Sequence, residues 1–307
     1  MKTNVLETKN VNFTYKGSSD GISDLNIAVP QGSIYGFLGP NGSGKTTTIR
    51  LILGLIRSKS GTISFFNNVF KENRISSLRR IGALIENPSL YTHLSAYENL
   101  QIILRYRGKS TEKDRIVEIL RMVGLEEAAF NQVKTYSLGM KQRLGIAIAL
   151  LDEPKLLILD EPTNGLDPKG IVDIRKLIID LNKNKGITIF ISSHLLTEIE
   201  KTCTHVGIIS KNGEMLFQGP LDSLRKKRDE QYQIDIETGQ NLKTIALLEA
   251  IQYAPKVKDA DTVSVMVKSK SDISGIIDCL RKSNIPIYQL VNQNSMESLF
   301  LQLTDKK

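Results

Sequence analysis

The glycine-rich segment Gly39–Thr46 constrains the fold of this chain more than any other part of its sequence. It reads GPNGSGKT, follows the apolar segment Ile34–Leu38, and precedes a stretch of helical character over residues 46–55. Glycines allow consecutive backbone amides to turn toward one centre, and a helix N-terminus favours an anion at the same place. The segment therefore predicts a strand, an anion-binding turn and a helix, which together begin an α/β sheet.

Two side chains at the end of this turn have the chemistry to bind nucleotide phosphates. Lys45 has the reach to contact the β- and γ-phosphates, and the hydroxyl of Thr46 is a ligand for Mg²⁺. A glycine-rich turn with an incidental lysine is the alternative, but strand, turn and helix follow one another as the chemistry requires. The candidate binding residues are Gly39, Pro40, Asn41, Gly42, Ser43, Gly44, Lys45, Thr46 and Thr47.

A second apolar segment, Leu156–Leu159, ends in two acidic residues. Asp160 is placed to hold Mg²⁺, directly or through water. Glu161 is placed to polarise an attacking water, and a general base contributes about 10²–10⁴-fold in rate. A similar pair, Asp152 and Glu153, follows a helical stretch and is separated from the strand by a proline. We interpret that second pair as a solvated helix end.

Apolar strands alternate with helical segments over the first two thirds of the chain, which favours a mostly parallel α/β sheet. Residues 90–151 are nearly all helical and interrupt this frame, and a capping box formed by Ser95 and Glu98 begins one of their helices. Asn212-Gly213, between two apolar strands, predicts a type I′ hairpin. The first domain is therefore predicted to span residues 1–220.

The sequence pattern changes near residue 220, and residues 221–307 are predicted to form a separate, small α+β domain. Its elements follow a roughly ferredoxin-like order. The predicted strands are residues 231–237, 262–268 and 286–291, and the predicted helices are residues 241–252, 271–283 and 295–304.

Composition excludes several classes of protein. The 307 residues are 40% hydrophobic and 24% charged, which is ordinary for a globular chain. No apolar run is long enough to cross a bilayer, and the first residues lack the apolar core of a signal peptide, so we expect a cytoplasmic protein. Two cysteines argue against a disulfide framework. The net charge of +8 is compatible with an anionic partner or with a merely solvated surface.

The segment Tyr136–Arg143, which opens a helix between the two phosphate-related motifs, makes a family resemblance specific. It reads YSLGMKQR, and on its own it is equally typical of a helix N-cap. In its place along the chain it resembles the L-S-G-G-Q segment of the ABC-transporter ATPases. Ser137 and Gly139 keep the serine and the second glycine of that pattern, while Leu138 and Met140 depart from it.

Other residues match this family in its order along the chain. The resemblance implies that Tyr15 stacks on adenine, although an ordinary strand tyrosine is the alternative. It implies that Asp167, in the loop 164–167, meets a second subunit, and that His194 contacts the γ-phosphate.

Glu86 is an informative departure from the family pattern. The family usually has a glutamine at this position, after the strand 81–85, where it contacts Mg²⁺ and senses the membrane domain. A glutamate keeps the capacity to bind Mg²⁺ but adds a charge and only accepts hydrogen bonds. In this feature and in its C-terminal extension, the chain resembles the subgroup that exports bacitracin and lantibiotic peptides.

The resemblance implies a P-loop NTPase core with a helical insertion, ATP and Mg²⁺ as ligands, and ATP hydrolysis coupled to transport. Catalysis is assigned to Glu161, His194 and Glu86, and Mg²⁺ to Thr46, Glu86 and Asp160. Ser137 and Gly139 would complete the site of a second copy in a head-to-tail dimer. Integral membrane permeases and a peptide cargo are the other expected partners, at the inner face of the cell membrane; no nucleic acid is expected.

Three alternatives remain open from the sequence. One is an ABC ATPase that acts on ribosomes or DNA, although such proteins carry a second ATPase unit or long coiled coils, neither of which is visible here. Another is a nucleotide-binding module without turnover, which the intact Asp160-Glu161 pair and His194 oppose. The third is an ABC ATPase that exports a different cargo.

Overall fold

The computed structural model describes residues 3–17, 21–109, 111, 113–229, 232–267, 269–292 and 296–304. The chain divides into two compact units, Met1–Gly219 and Pro220–Lys307. Residues 231, 268 and 295, where three of the predicted elements begin or end, lie outside the described part of the chain.

The first unit alternates strands and helices along most of its length. Its strands are β1 (Asn4–Thr14), β2 (Gly21–Pro30), β3 (Ile34–Leu38), β4 (Ser60–Phe65), β5 (Asn68–Val69), β6 (Ile81–Leu84), β7 (Leu156–Asp160), β8 (Thr188–Ser193), β9 (His205–Ile209) and β10 (Met215–Pro220). Its α-helices are α1 (Lys45–Ile52), α2 (Arg74–Leu78), α3 (Ala96–Tyr106), α4 (Lys113–Met122), α5 (Leu138–Leu150), α6 (Pro168–Lys185) and α7 (Leu196–Thr202).

The central sheet of this unit is six-stranded, in the order β10-β9-β3-β8-β7-β6. Strand β3 pairs in parallel with β8 and β9, and β7 pairs in parallel with β6 and β8. Leu38 at the end of β3 lies opposite Ser193, and Asp160 at the end of β7 lies opposite Ser192. The loops that follow β3, β7 and β8 therefore emerge side by side at one edge of the sheet, where ligands bind in open α/β folds.

An antiparallel sheet with the order β2-β1-β4-β5 shares its hydrophobic core with the central sheet. Helix α1 contributes Ile49 and Ile52, both fully buried, to this core. Three aromatic rings pack together on β3 and β8: the Phe190 ring lies 5.5 Å from that of Tyr35 and 5.6 Å from that of Phe37, centre to centre. This packing anchors the strands whose ends carry the polar residues.

The predicted helical segment, residues 90–151, contains α3, α4 and α5. The predicted capping box is present, because the Glu98 amide donates to the Ser95 hydroxyl at 3.2 Å and the Ser95 amide donates to the Glu98 carboxylate at 2.8 Å. Hydrogen bonds from the Ser95 amide and hydroxyl lower the pKa of Glu98.

The hairpin between β9 and β10 differs from the type I′ turn that the sequence predicts. A type I′ turn needs a positive φ at both central residues. Gly213 has a φ of 79°, but Asn212 does not belong to the described residues with positive φ. The Ser210 hydroxyl accepts hydrogen bonds from the amides of Asn212 and Glu214, each at 3.2 Å, and so stabilises a longer turn with one left-handed residue.

The second unit has a ferredoxin-like order of elements. The sequence predicts three strands and three helices here, but not the short strand Lys256–Val257 or the helix Leu221–Asp229. Its sheet order is β12-β13-β11-β14, with β11 antiparallel to both neighbours. A core of its own includes Ile236, Leu248 and Val265. The strands are β11 (Tyr232–Glu237), β12 (Lys256–Val257), β13 (Thr262–Val267) and β14 (Gln289–Asn292), and the helices are α8 (Leu221–Asp229), α9 (Asn241–Ala250), α10 (Lys270–Lys282) and α11 (Met296–Thr304).

Among the helices that the structure describes, none combines the length and hydropathy needed to span a bilayer.

We predict that Phe190→Ala destabilises the first unit by about 3–5 kcal/mol, because it removes a fully buried ring and leaves a cavity against two other rings. Urea unfolding, followed separately for the two units, measures this change. Tyr106→Ala, at a position 88% exposed, is the matched control and should change stability by less than about 0.5 kcal/mol. Equal effects of the two variants would contradict this description of the core.

Candidate functional site

The glycine-rich turn lies between β3 and α1, as the sequence predicts. Gly44, the residue before α1, has a φ of 90°, a region that L side chains rarely adopt, and a Cβ there would lie 2.5 Å from the Ile22 side chain. The turn therefore needs glycine at this position both for its backbone and for space. It leaves the amides at the start of α1 facing a cavity, which is an arrangement suited to an anion.

Lys45 is the cation of this turn, and it is almost entirely buried, with 7% of its side chain exposed. Its ammonium donates to the carbonyl oxygens of Gly39 at 3.0 Å and Pro40 at 3.2 Å. It also lies 3.2 Å from the Glu161 carboxylate. A buried charge must be paired, so these oxygens fix the ammonium at the mouth of the turn.

Asp160, the last residue of β7, is 3% exposed and hydrogen-bonded on both oxygens. It accepts from the Thr46 hydroxyl at 2.8 Å and from the Ser192 hydroxyl at 2.5 Å. Ser192 also accepts from the Glu161 amide at 2.9 Å, so this one buried hydroxyl orients both acidic residues. The sequence places Ser192 at a strand end but gives no sign of this role, which depends on the pairing of β7 with β8.

Glu161 follows β7 with a φ of 46°, a left-handed conformation that is uncommon for a residue with a side chain and that is found preferentially at functional sites. Its carboxylate lies between two basic groups. One oxygen is 3.2 Å from the Lys45 ammonium, and the other is 2.8 Å from His194 Nδ1. Glu161 thus contacts both Lys45 and His194, although the sequence predicted the three residues from separate motifs.

A cavity of about 500 Å³ lies in front of this cluster, within the range of about 300–1,000 Å³ that small-molecule sites occupy. Tyr15 stands at its rim, where its hydroxyl lies 3.1 Å from that of Thr47 and its ring packs edge-on against Phe13. The lining residues are Tyr15, Gly21, Asn41, Gly42, Gly44, Lys45, Thr46, Thr47, Glu161, Asn164 and His194.

A second cavity, of about 340 Å³, shares Thr46, Glu161 and Asn164 with the first. Its remaining lining residues are Glu86, Asn87, Gln142 and Asp160. Asn164 and Gln142 are lining residues that the sequence did not single out as ligands. Three carboxylates thus face one cavity next to the Thr46 hydroxyl, which makes this side of the site suited to a cation.

Glu86 has a φ of 58° and is 59% exposed, and its carboxylate binds the Arg50 guanidinium. Arg50 lies on α1 one helical turn after Thr46, so it stands on the same side of the helix. Arg50 was not predicted from the sequence as a partner of Glu86. Its spacing of four residues from Thr46 was the available signal, but nothing local connects it to a residue 36 positions further along the chain.

Ser137, Gly139 and Asp167 lie apart from both cavities of their own chain. Ser137 is exposed and caps α5 by accepting from the Met140 amide at 3.2 Å. Asp167 caps α6 by accepting from the Gly170 amide at 3.1 Å. Their predicted contact with nucleotide on a second copy stays a prediction.

The residues present fit a divalent cation that also binds phosphate. Within the described ranges no group of three or more His, Cys, Asp or Glu side chains forms a metal cage. Thr46 and Asp160 instead bring a hydroxyl and a carboxylate within 2.8 Å of each other. Mg²⁺ in nucleotide sites is bound in this way, by one or two protein oxygens together with phosphates and water.

Comparison with known proteins places the chain in a family. Residues 22–164 match the family model described as ABC transporter. The bacitracin transport ATP-binding protein BcrA of Bacillus licheniformis is 50% identical over 245 residues, which is 80% of this chain and 78% of that protein. The ABC transporter ATP-binding protein YhcH of Bacillus subtilis is 40% identical over 306 residues, 99% of this chain and 97% of the other. The lantibiotic transport ATP-binding protein SrtF of Streptococcus pyogenes is 42% identical over 218 residues, 71% of this chain and 92% of the other.

Solved structures show the same fold for the larger part of the chain. The cbiO1 protein of Clostridium perfringens, part of the ABC transporter complex cbiONQ, superposes with a TM-score of 0.66 at 29% identity and covers 73% of this chain and 92% of its own. The ATP-binding cassette MJ0796, in a dimeric post-hydrolysis state with ADP and Pi, gives a TM-score of 0.61 at 28% identity, over 70% of this chain and 98% of its own.

The chain therefore belongs to the ABC transporter family of ATP-binding proteins. Within that family it is the ATP-hydrolysing subunit, and the predictions of the family, of the bacitracin and lantibiotic subgroup and of the P-loop α/β fold are confirmed.

We predict that Ser192→Ala destabilises the first unit by about 1–3 kcal/mol. The Glu161 amide and one Asp160 oxygen would lose their partner in a buried site, and unmade hydrogen bonds of buried groups cost this much. Urea unfolding measures the change, with Ser89→Ala at an exposed position as the matched control. Equal stability of the two variants would show that Ser192 does not organise the acidic pair.

Proposed function

We propose that this chain hydrolyses MgATP at the cavity in front of Lys45, with Glu161 as general base, and that the hydrolysis drives a membrane permease that exports peptide antibiotics. The observation that best supports the chemical part is the contact of Glu161 with both Lys45 and His194. It brings a base, a phosphate-binding cation and a γ-phosphate sensor together at one edge of the sheet.

Binding of ATP involves an exchange of partners at Lys45. The backbone amides of the residues 41–47 surround the phosphates, and the ammonium donates to phosphate oxygens, a charge-assisted contact stronger than a neutral hydrogen bond. Lys45 then no longer neutralises Glu161, because the phosphates take over its charge. Tyr15, at the rim of the same cavity, offers its ring to the adenine.

Thr46 and Asp160 are the residues that would hold Mg²⁺, and Glu86 faces the same cavity. When bound, the ion would neutralise charge on the phosphate oxygens. Glu86 would approach the ion only after releasing Arg50. In this proposal Glu86 reports the nucleotide state to the permease and does not act as the base.

Glu161 accepts a proton from the attacking water once Lys45 has turned to the phosphates. His194 holds one oxygen of Glu161 and so orients the other toward the cavity. His194 also lines the cavity that the γ-phosphate would enter. These roles require no movement of β7 or β8, whose ends are already fixed by Ser192.

Ser137, Gly139 and Asp167 do not line the cavities of their own chain. We propose that a second copy supplies them head to tail, so that a serine hydroxyl and the N-terminus of α5 meet the γ-phosphate across the interface. The dimeric state of the ATP-binding cassette MJ0796 with ADP and Pi supports a dimer.

The transport part of the proposal rests on the relatives. BcrA and SrtF are described as bacitracin and lantibiotic transport ATP-binding proteins, and cbiO1 belongs to a transporter complex. We propose a peptide of the bacitracin or lantibiotic class as cargo, integral membrane permeases as partners, and a position at the inner face of the cell membrane.

We predict that Glu161→Gln lowers turnover by about 10²–10⁴-fold while ATP still binds, because the amide keeps the shape of the side chain but is not a base. Steady-state hydrolysis and gel filtration with MgATP measure the loss and the expected trapping of an ATP-bound dimer. Lys45→Ala, in contrast, should lose ATP affinity. Wild-type turnover of Glu161→Gln would require another base.

We predict that deletion of the gene sensitises cells to bacitracin or lantibiotics, and that Glu86→Ala restores protection poorly while part of the ATPase activity remains. The reason is that Glu86 faces the cation side of the site but is held away from it by Arg50. Glu72→Ala, at an exposed position, is the matched control. Unchanged sensitivity of the deletion strain to bacitracin and to several lantibiotics would contradict the proposed cargo and leave the ATPase untouched.

A further inference from the structure

A largely buried ion pair joins α6 to α7. One nitrogen of the Arg175 guanidinium lies 2.8 Å from one Glu198 oxygen and 3.1 Å from the other. The two side chains are only 17% and 13% exposed. The pair of Arg121 with Glu126, on the surface of the same unit, is far more open, with 62% and 44% of the side chains exposed.

Burial of this pair is not explained by stability alone. Desolvation of two charges offsets most of their attraction, and apolar residues of similar volume often replace a buried pair without loss. A buried pair does, however, fix the relative placement of the elements that carry it. The Arg175–Glu198 pair therefore directs attention to the loops that α6 and α7 hold in place.

The two helices begin at functional loops. Helix α6 begins directly after Asp167, in the loop that is proposed to face a second copy. Helix α7 begins two residues after His194, and the Glu198 amide donates to the Leu195 carbonyl at 3.2 Å, within the first turn. The Leu195 amide donates in turn to the Ser193 hydroxyl at 2.9 Å. His194 thus lies in a short, hydrogen-bonded turn whose far end is the residue that Arg175 binds.

A small cavity of about 20 Å³ borders the pair on the side of the site. It is lined by Pro162 and Thr163, which follow Glu161, and by Ser193, which precedes His194. The Arg175 Nε is buried and has no hydrogen-bond partner among the described residues. Arg175 therefore borders the same cavity as the residues that follow the base and the residue that precedes the histidine.

We propose that Arg175 is a positioning residue, which through Glu198 fixes the start of α7 and so directs the His194 imidazole at Glu161 and the nucleotide. The pair joins α6, which follows the loop that contains Asp167, to α7, which follows the turn that contains His194. The proposal rests on the function proposed above for Glu161 and His194.

The test replaces both charges together, as Arg175→Met with Glu198→Leu, so that no unpaired charge is left buried. The matched control is Arg121→Met with Glu126→Leu, which removes an exposed pair. Arg175→Lys is a second variant, which keeps the charge but loses the two-oxygen contact. Each protein is compared with the wild type by urea unfolding, by ATP affinity, by kcat, and by NMR of ¹³C-labelled histidine rings.

The chain has only three histidines, so the signal of His194 is identified by its loss in His194→Ala. We expect the folded Arg175 variants to bind ATP like the wild type, to lose kcat by about 10- to 100-fold, as misplaced catalytic groups do, and to shift the His194 signal but not that of His93. The control pair should change none of these quantities.

Wild-type kcat in a folded Arg175 variant, or a loss of kcat with an unchanged His194 signal, would overturn the positioning role. This failure is distinct from failure of the proposed function. If Glu161→Gln and His194→Ala retain turnover, the assignment of the site is wrong; if they lose turnover and the Arg175 variants do not, only the role of Arg175 is wrong.

Discussion

The contact between the buried Lys45 ammonium and the Glu161 carboxylate is the interaction on which the site depends. Both groups lie at the carboxyl edge of the central sheet, where β3 and β7 end on either side of β8. A charge that is 7% exposed is tolerated only with partners, and the strand order supplies them. The parallel order of the strands therefore determines which opposite charges, those of Lys45 and Glu161, come into contact.

The same rule of paired charges governs the rest of the site. Asp160 is held by two hydroxyls, Glu161 by Lys45 and His194, and Glu86 by Arg50. Each functional group is thus satisfied by a partner that nucleotide or cation can replace. Ligand binding would then exchange hydrogen-bond and ionic partners and would not need to order flexible side chains. Such preorganisation favours electrostatic catalysis.

The sequence predicts those parts of the site that are local in the chain. The phosphate turn and the acidic pair after β7 each follow from neighbouring residues. The Arg50–Glu86 and Arg175–Glu198 contacts do not, because they join segments 36 and 23 residues apart through packing that no local pattern encodes. The prediction of a type I′ turn at Asn212 is wrong for another reason. The same dipeptide suits two turn types, and the Ser210 hydroxyl selects one of them.

The different burial of two ion pairs has a consequence for how this sequence can change over generations. Arg50 and Glu86 are 39% and 59% exposed, and such a pair contributes about 0–1 kcal/mol, so either residue can be replaced first. Losing one member of the buried Arg175–Glu198 pair costs about 3–5 kcal/mol, a large part of the about 5–15 kcal/mol that keeps a domain folded. The fold itself should therefore not constrain the first pair in divergent descendants, where only the proposed role of Glu86 does, but it should allow the second pair to change only as a unit.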